Sequence, residues 1–114
     1  MAIRTRKLGK VCVFDMHGNL TIGTADIELR EKFRAALDAD ETRFVFNLRD
    51  VGYMDSSAIG ETVACAKRVA ERGGQIKLVL TPDGRPDAVL RIASLDRVFE
   101  IFEDESEAIA SYVS

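Results

Sequence analysis

The run Phe44-Val45-Phe46-Asn47-Leu48 constrains this chain most, because it is too short and too continuous to be an amphipathic surface helix. Its β-branched and aromatic content marks a buried strand. Further on, Ile59, Val63, Ala66 and Ala70 recur at helical spacing until Gly73-Gly74 stops the pattern. A strand therefore hands over to a helix within Asp55-Ser56-Ser57-Ala58-Ile59-Gly60, and the stretch from Asp50-Val51-Gly52-Tyr53-Met54 up to the serines reads as a loop. Ser56 or Ser57 is expected to be the N-cap of that helix.

The rest of the chain repeats this alternation. Residues 3–8 and 10–17 predict a β-hairpin turning at Gly9, with Cys12, Phe14 and Met16 on the inward face and Val11, Val13, Asp15 and His17 on the other, polar one. Thr24 can cap a helix whose Leu29, Phe33, Ala36 and Leu37 share a face, and Asp26 and Glu28 suit the start of its dipole. A strand over 75–80, a loop at 81–85 and a short helix from Pro86 to about Ala93 follow. Phe99-Glu100-Ile101-Phe102 is the last strand, and Asp104-Glu105-Ser106-Glu107 carries the spacing of a capping box before a final helix. Alternating strands and helices predict an α/β layer structure whose mixed, mostly parallel sheet has about five strands and about four helices, with the opening hairpin as its antiparallel part.

Composition bounds the function. The length of 114 residues and the 46% hydrophobic content suffice for one core, and no linker-like shift in composition divides residues 1–114, so a single domain is expected. The formal net charge of −3 gives no general attraction to phosphate backbones, and nucleic acid is not an expected partner. Arg4, Arg6, Lys7 and Lys10 read as a solvated strand edge that discourages pairing. No apolar run approaches the roughly 20 residues needed to span a bilayer, and the start Met1-Ala2-Ile3-Arg4-Thr5-Arg6-Lys7 lacks a signal peptide's apolar segment, so a cytoplasmic protein without membrane insertion is expected. Cys12 and Cys65 read as packing residues and not a disulfide, and His17 has only adjacent Asp15 as a conceivable co-ligand, so neither a metal nor any other cofactor is expected.

Nor does the chain read as an enzyme. A serine nucleophile needs a base within reach; the single histidine, His17, falls with Asp15 on the polar strand face, and Asp55-Ser56-Ser57 lacks the nucleophile-elbow pattern. On spacing alone the two serines are ordinary caps worth about 1 kcal/mol. Their place at a helix start also suits a phosphate, since unpaired N–H groups and the positive end of the dipole accept an anion there.

Tyr53-Met54-Asp55-Ser56-Ser57-Ala58-Ile59-Gly60, preceded by Phe46-Asn47-Leu48-Arg49-Asp50-Val51 and followed at helix length by Gly73-Gly74-Gln75-Ile76-Lys77-Leu78-Val79, resembles the STAS domain of bacterial anti-sigma factor antagonists. His17-Gly18-Asn19-Leu20-Thr21 stands where that family carries a Gly-x-Leu-Asp turn, and residues 89–99 resemble its short third helix and last strand. The resemblance implies a STAS fold and a phosphoacceptor at Ser56, the serine directly after the motif's aspartate. It also implies an anti-sigma factor partner that doubles as a serine kinase of the histidine-kinase-like ATPase type, and a serine phosphatase that reverses the modification. The partner surface it implies comprises Asn19, Thr21, Met54, Asp55, Ser56, Ser57, Ala58 and Ile59. Two residues depart from the pattern: Ala58 replaces a glycine and Thr21 an aspartate. Small STAS proteins also serve as accessory or scaffold subunits of membrane transport or signalling complexes, which is the alternative function.

Overall fold

The computed structural model describes residues 3–20, 25–81 and 97–112. Its hairpin joins β1 (Ile3–Leu8) to β2 (Val11–Leu20), with Gly9 at φ 61° in the turn, and is followed by α1 (Ala25–Asp38), β3 (Arg43–Met54), α2 (Ser56–Ala70) and β4 (Gln75–Val79). The chain closes with β5 (Glu100–Phe102) and α3 (Glu105–Ala110). The five strands lie in the order β1-β2-β3-β4-β5, antiparallel between β1 and β2 and parallel thereafter. This is the predicted mixed sheet, with three helices among the described residues; the helix expected from Pro86 and the cap expected at Thr24 lie outside them.

Two successive right-handed crossovers in one direction place their helices on one face of the sheet, and α1 and α2 pack there side by side. Beneath them, Phe14, Phe33, Phe44 and Phe46 are all fully buried, with the Phe14 and Phe46 rings stacked at 5.1 Å and Phe33 tilted 4.6 Å from Phe44. Cys12, Phe14 and Met16 point into this core as their alternation predicts, and Leu29, Phe33 and Leu37 meet them from α1. The α2 stripe is rotated from the expected one. Ala58, Thr62, Cys65 and Val69 are buried, Ile59, Val63 and Ala66 flank them, and Ala70 is exposed. The apolar residues picked from the sequence are one edge of the face, and a buried threonine and alanine supply its centre. Cys65 is fully enclosed, and burial first, with Glu61 second, pushes its thiol up to about 12. Gly73 at φ 76° reverses the chain after α2, and a Cβ on Gly74 would collide with the Thr42 carbonyl and Val69, so the stop is steric as well as conformational.

The opposite face departs from its expected polar character. Val11, Val13, Val45 and Val79 form a second buried cluster capped by Ala108 of α3, with Phe102, Ile109 and Tyr112 packed against it. The sequence placed Val11 and Val13 beside Asp15 and His17 correctly, but a helix covers the lower part of that face. α3 starts as the capping box predicts, with the Asp104 side chain accepting from the Glu107 N–H. At its far end, the Tyr112 hydroxyl lies 2.6 Å from the Phe44 carbonyl and 2.7 Å from that of Gln75. Arg6 and Lys7 are likewise not a free solvated edge. Arg6 pairs with Asp15 and, at 2.6 Å, with Glu105, which ties β1 to α3, while Lys7 pairs with Glu41.

Candidate functional site

β3 does not stop at Leu48, and β2 does not stop at His17. Both run on to the top of the sheet, where Leu20 pairs with Met54, and the segment expected to be a loop is strand up to Met54. The reason is an irregular register. Asp15 pairs with Asn47, but His17 pairs with Asp50, and Gly18 pairs with Val51, but Asn19 with Tyr53, so β3 gains one residue on β2 at each of two bulges. Leu48, Val51 and Met54 consequently all face the core, at a spacing of three that no simple strand has, while Gly52 and Tyr53 face out. A Cβ on Gly52 would stand 3.3 Å from Asn19 Oδ1, so the second bulge packs its glycine closely beneath the asparagine side chain.

The cap that starts α2 is Asp55, not either serine. Asp55 is extended at φ −85°, ψ 177°, and its Oδ1 accepts from the Ala58 N–H at 3.0 Å. Its own N–H donates to the Leu20 carbonyl at 3.1 Å, and its carbonyl accepts from the Ile59 N–H at 3.1 Å. The carboxylate fits the N-cap because it meets the positive end of the helix dipole, and the backbone bond to Leu20 anchors it to the end of β2. Ser56 and Ser57 are thereby moved one step on, into the first helical turn, with Ser56 exposed and Ser57 half-buried. No acidic side chain occupies that turn.

The expected partner residues divide into two groups. Met54 and Ala58 are each 2% exposed and support the turn from the core side; Ala58 is helical and buried, and the Thr62 hydroxyl donates to its carbonyl at 2.9 Å. Asn19 and Ser56 are exposed, and Asp55, Ser57 and Ile59 are half-buried, so these five gather at one end of the sheet; Thr21 lies outside the described residues. Two residues that the sequence reading passed over belong with them. Tyr53, 39% exposed, stands opposite Asn19 in the ladder, and the broken alternation Val51-Gly52-Tyr53-Met54 was the signal for it. Glu61 is the other, a carboxylate only 7% exposed on α2, in ion contact with Arg30 at 2.8 Å and Arg68 at 3.8 Å. Its place between Ala58 and Cys65, inside the buried stripe, was the signal there.

The site offers little to a cofactor. Among the described residues no group of histidine, cysteine and carboxylate side chains could hold a metal ion, and none of the helices is long and apolar enough to cross a membrane. His17 is exposed on β2 opposite Asp50, below the turn that carries the serines.

The architecture matches known proteins. The model of the STAS domain family matches residues 2–108, and the chain belongs to that family. A Thermotoga neapolitana protein named as a candidate anti-sigma factor antagonist, the TM1081 homolog, is 33% identical over 90 residues, 79% of this chain and 79% of its own. Among solved structures, the candidate anti-sigma factor antagonist TM1081 of Thermotoga maritima superposes with a TM-score of 0.86 at 25% identity, covering 96% of this chain and 92% of that one. The Bacillus cell fate determinant SpoIIAA in its phosphorylated form gives a TM-score of 0.78 over 98% of this chain and 100% of that one; at 21% identity the likeness is of fold alone.

Proposed function

We propose that this STAS domain is a phosphorylation-switched binding module that acts as an anti-sigma factor antagonist. Unmodified, it docks on an anti-sigma factor that is also a serine kinase of the histidine-kinase-like ATPase type, and so releases a sigma factor. Phosphate on Ser56 ends the docking, and a serine phosphatase restores it. The domain works in the cytoplasm and carries out no catalysis itself. The docking surface is the end of the sheet formed by Asn19, Tyr53, Asp55, Ser56, Ser57 and Ile59.

The observation that carries this reading is the exposure of Ser56 in the first turn of α2, directly behind a cap already supplied by Asp55. Because the cap does not depend on the serine, its hydroxyl can be modified without undoing the helix start. A phosphate there adds roughly −1.5 to −2 charges beside the positive end of the dipole, which the domain tolerates. A partner that must desolvate the same charge without a cation does not, and each tenfold loss of affinity needs only about 1.4 kcal/mol. The names of the relatives at 33% and 25% identity support the same role.

Incubation with the partner kinase and ATP, followed by peptide mapping, tests the assignment. Phosphate is expected on Ser56; modification confined to Ser57, or none with an active kinase, contradicts it.

A further inference from the structure

Ser56 and Ser57 differ by one position, and that step of about 100° around the helix axis changes what lies along each face. Ser57 shares its face with Glu61, one turn on, whereas the residue one turn beyond Ser56 is Gly60, which has no side chain. Glu61 is buried, and one of its oxygens accepts from Arg30 Nε at 2.8 Å while Arg68 stands 3.8 Å from the same atom. Arg30 reaches across from α1, and its hydrogen bond to Glu61 raises its pKa. Guanidinium groups from both helices therefore converge on this one carboxylate oxygen. Like charges one turn apart repel, and a dianion on Ser57 would also compete for Arg30 with a carboxylate that is itself only 7% exposed. Taking the partner from a buried charge is among the costlier changes a fold can suffer.

We propose that Glu61 selects between the two serines, disfavouring phosphate on Ser57 and confining it to Ser56. This rests on the reading of the α2 start as a phosphorylated switch, and it adds the residue that decides which hydroxyl the switch uses. The signature of Glu61 is a coupling between position 57 and position 61 that position 56 lacks.

The full chain carrying phosphoserine inserted during translation at 56 or at 57 provides the test, in the natural background and with Glu61→Gln. The chain phosphorylated at Ser57 is expected to melt at least ~4 °C below the one phosphorylated at Ser56, and Glu61→Gln is expected to remove most of that gap. Equal midpoints in the natural background, or a gap that Glu61→Gln leaves intact, would overturn the selection. If Glu61→Gln does not fold, Glu61→Met supplies the second background. No kinase enters this experiment, so its failure removes the role of Glu61 and leaves the switch standing, whereas failure of the Ser56 mapping removes the switch itself.

Discussion

The lower and upper halves of the β2–β3 pair are built by different rules. Below Asp15, the two strands run in strict register, side chains alternate, and both faces are covered: Phe14, Phe44 and Phe46 by α1 and α2, Val13 and Val45 by α3. Above it, two bulges break the alternation, the inward residues fall at a spacing of three, and Asn19 and Tyr53 are left facing out. The regular half maximises burial, and the irregular half spends backbone regularity on aiming side chains at the turn before Ser56. Bulges re-aim side chains in this way. The division implies that substitutions below should cost the fold, and substitutions above should cost recognition.

The largest expected effect lies in the lower half. Phe46→Ala removes a ring stacked on Phe14 and fully enclosed, and a loss of about 3–5 kcal/mol in denaturant unfolding is expected. A loss under about 1 kcal/mol would mean that the aromatic cluster repacks and that the regular half is not where stability resides.

Ala58→Gly probes the boundary between the halves. Ala58 stands in the first helical turn with its methyl in the core, so glycine at this position should destabilise by up to roughly 1 kcal/mol through lost helix propensity and backbone entropy. Urea melts of the two chains decide it. A more stable glycine variant would place this residue in a strained turn and not in a helix.

The same division explains what could be read from the sequence. Period-two alternation in Cys12, Phe14 and Met16 and the continuous run at 44–48 identified the regular half, and Asp104 with Glu107 identified the start of α3, because local chemistry and tertiary structure agree there. The bulged half reads as a loop in the sequence, since Leu48, Val51 and Met54 fit neither period when β3 is viewed without its partner strand. Sequence leaves the cap open because aspartate and serine are about equally good N-caps, and it is the bonds of Asp55 to the Ala58 N–H and the Leu20 carbonyl that fix which one occupies the position. Glu61 is not legible in the sequence because a charge within a helix reads as surface until Arg30 from another helix meets it.

The smallest expected effect on the fold is the most telling for function. Ser56→Asp places a charge on an exposed side chain in the first turn of α2, where the dipole accepts it, so the stability should stay within about 0.5 kcal/mol of the unmodified chain. Affinity for the proposed partner kinase, measured by calorimetry on the same protein, should fall by tenfold or more, about 1.4 kcal/mol, with Ser56→Ala binding as the unmodified chain does. Undiminished binding by the aspartate variant, with its fold intact, would contradict charge exclusion at Ser56 as the basis of the switch.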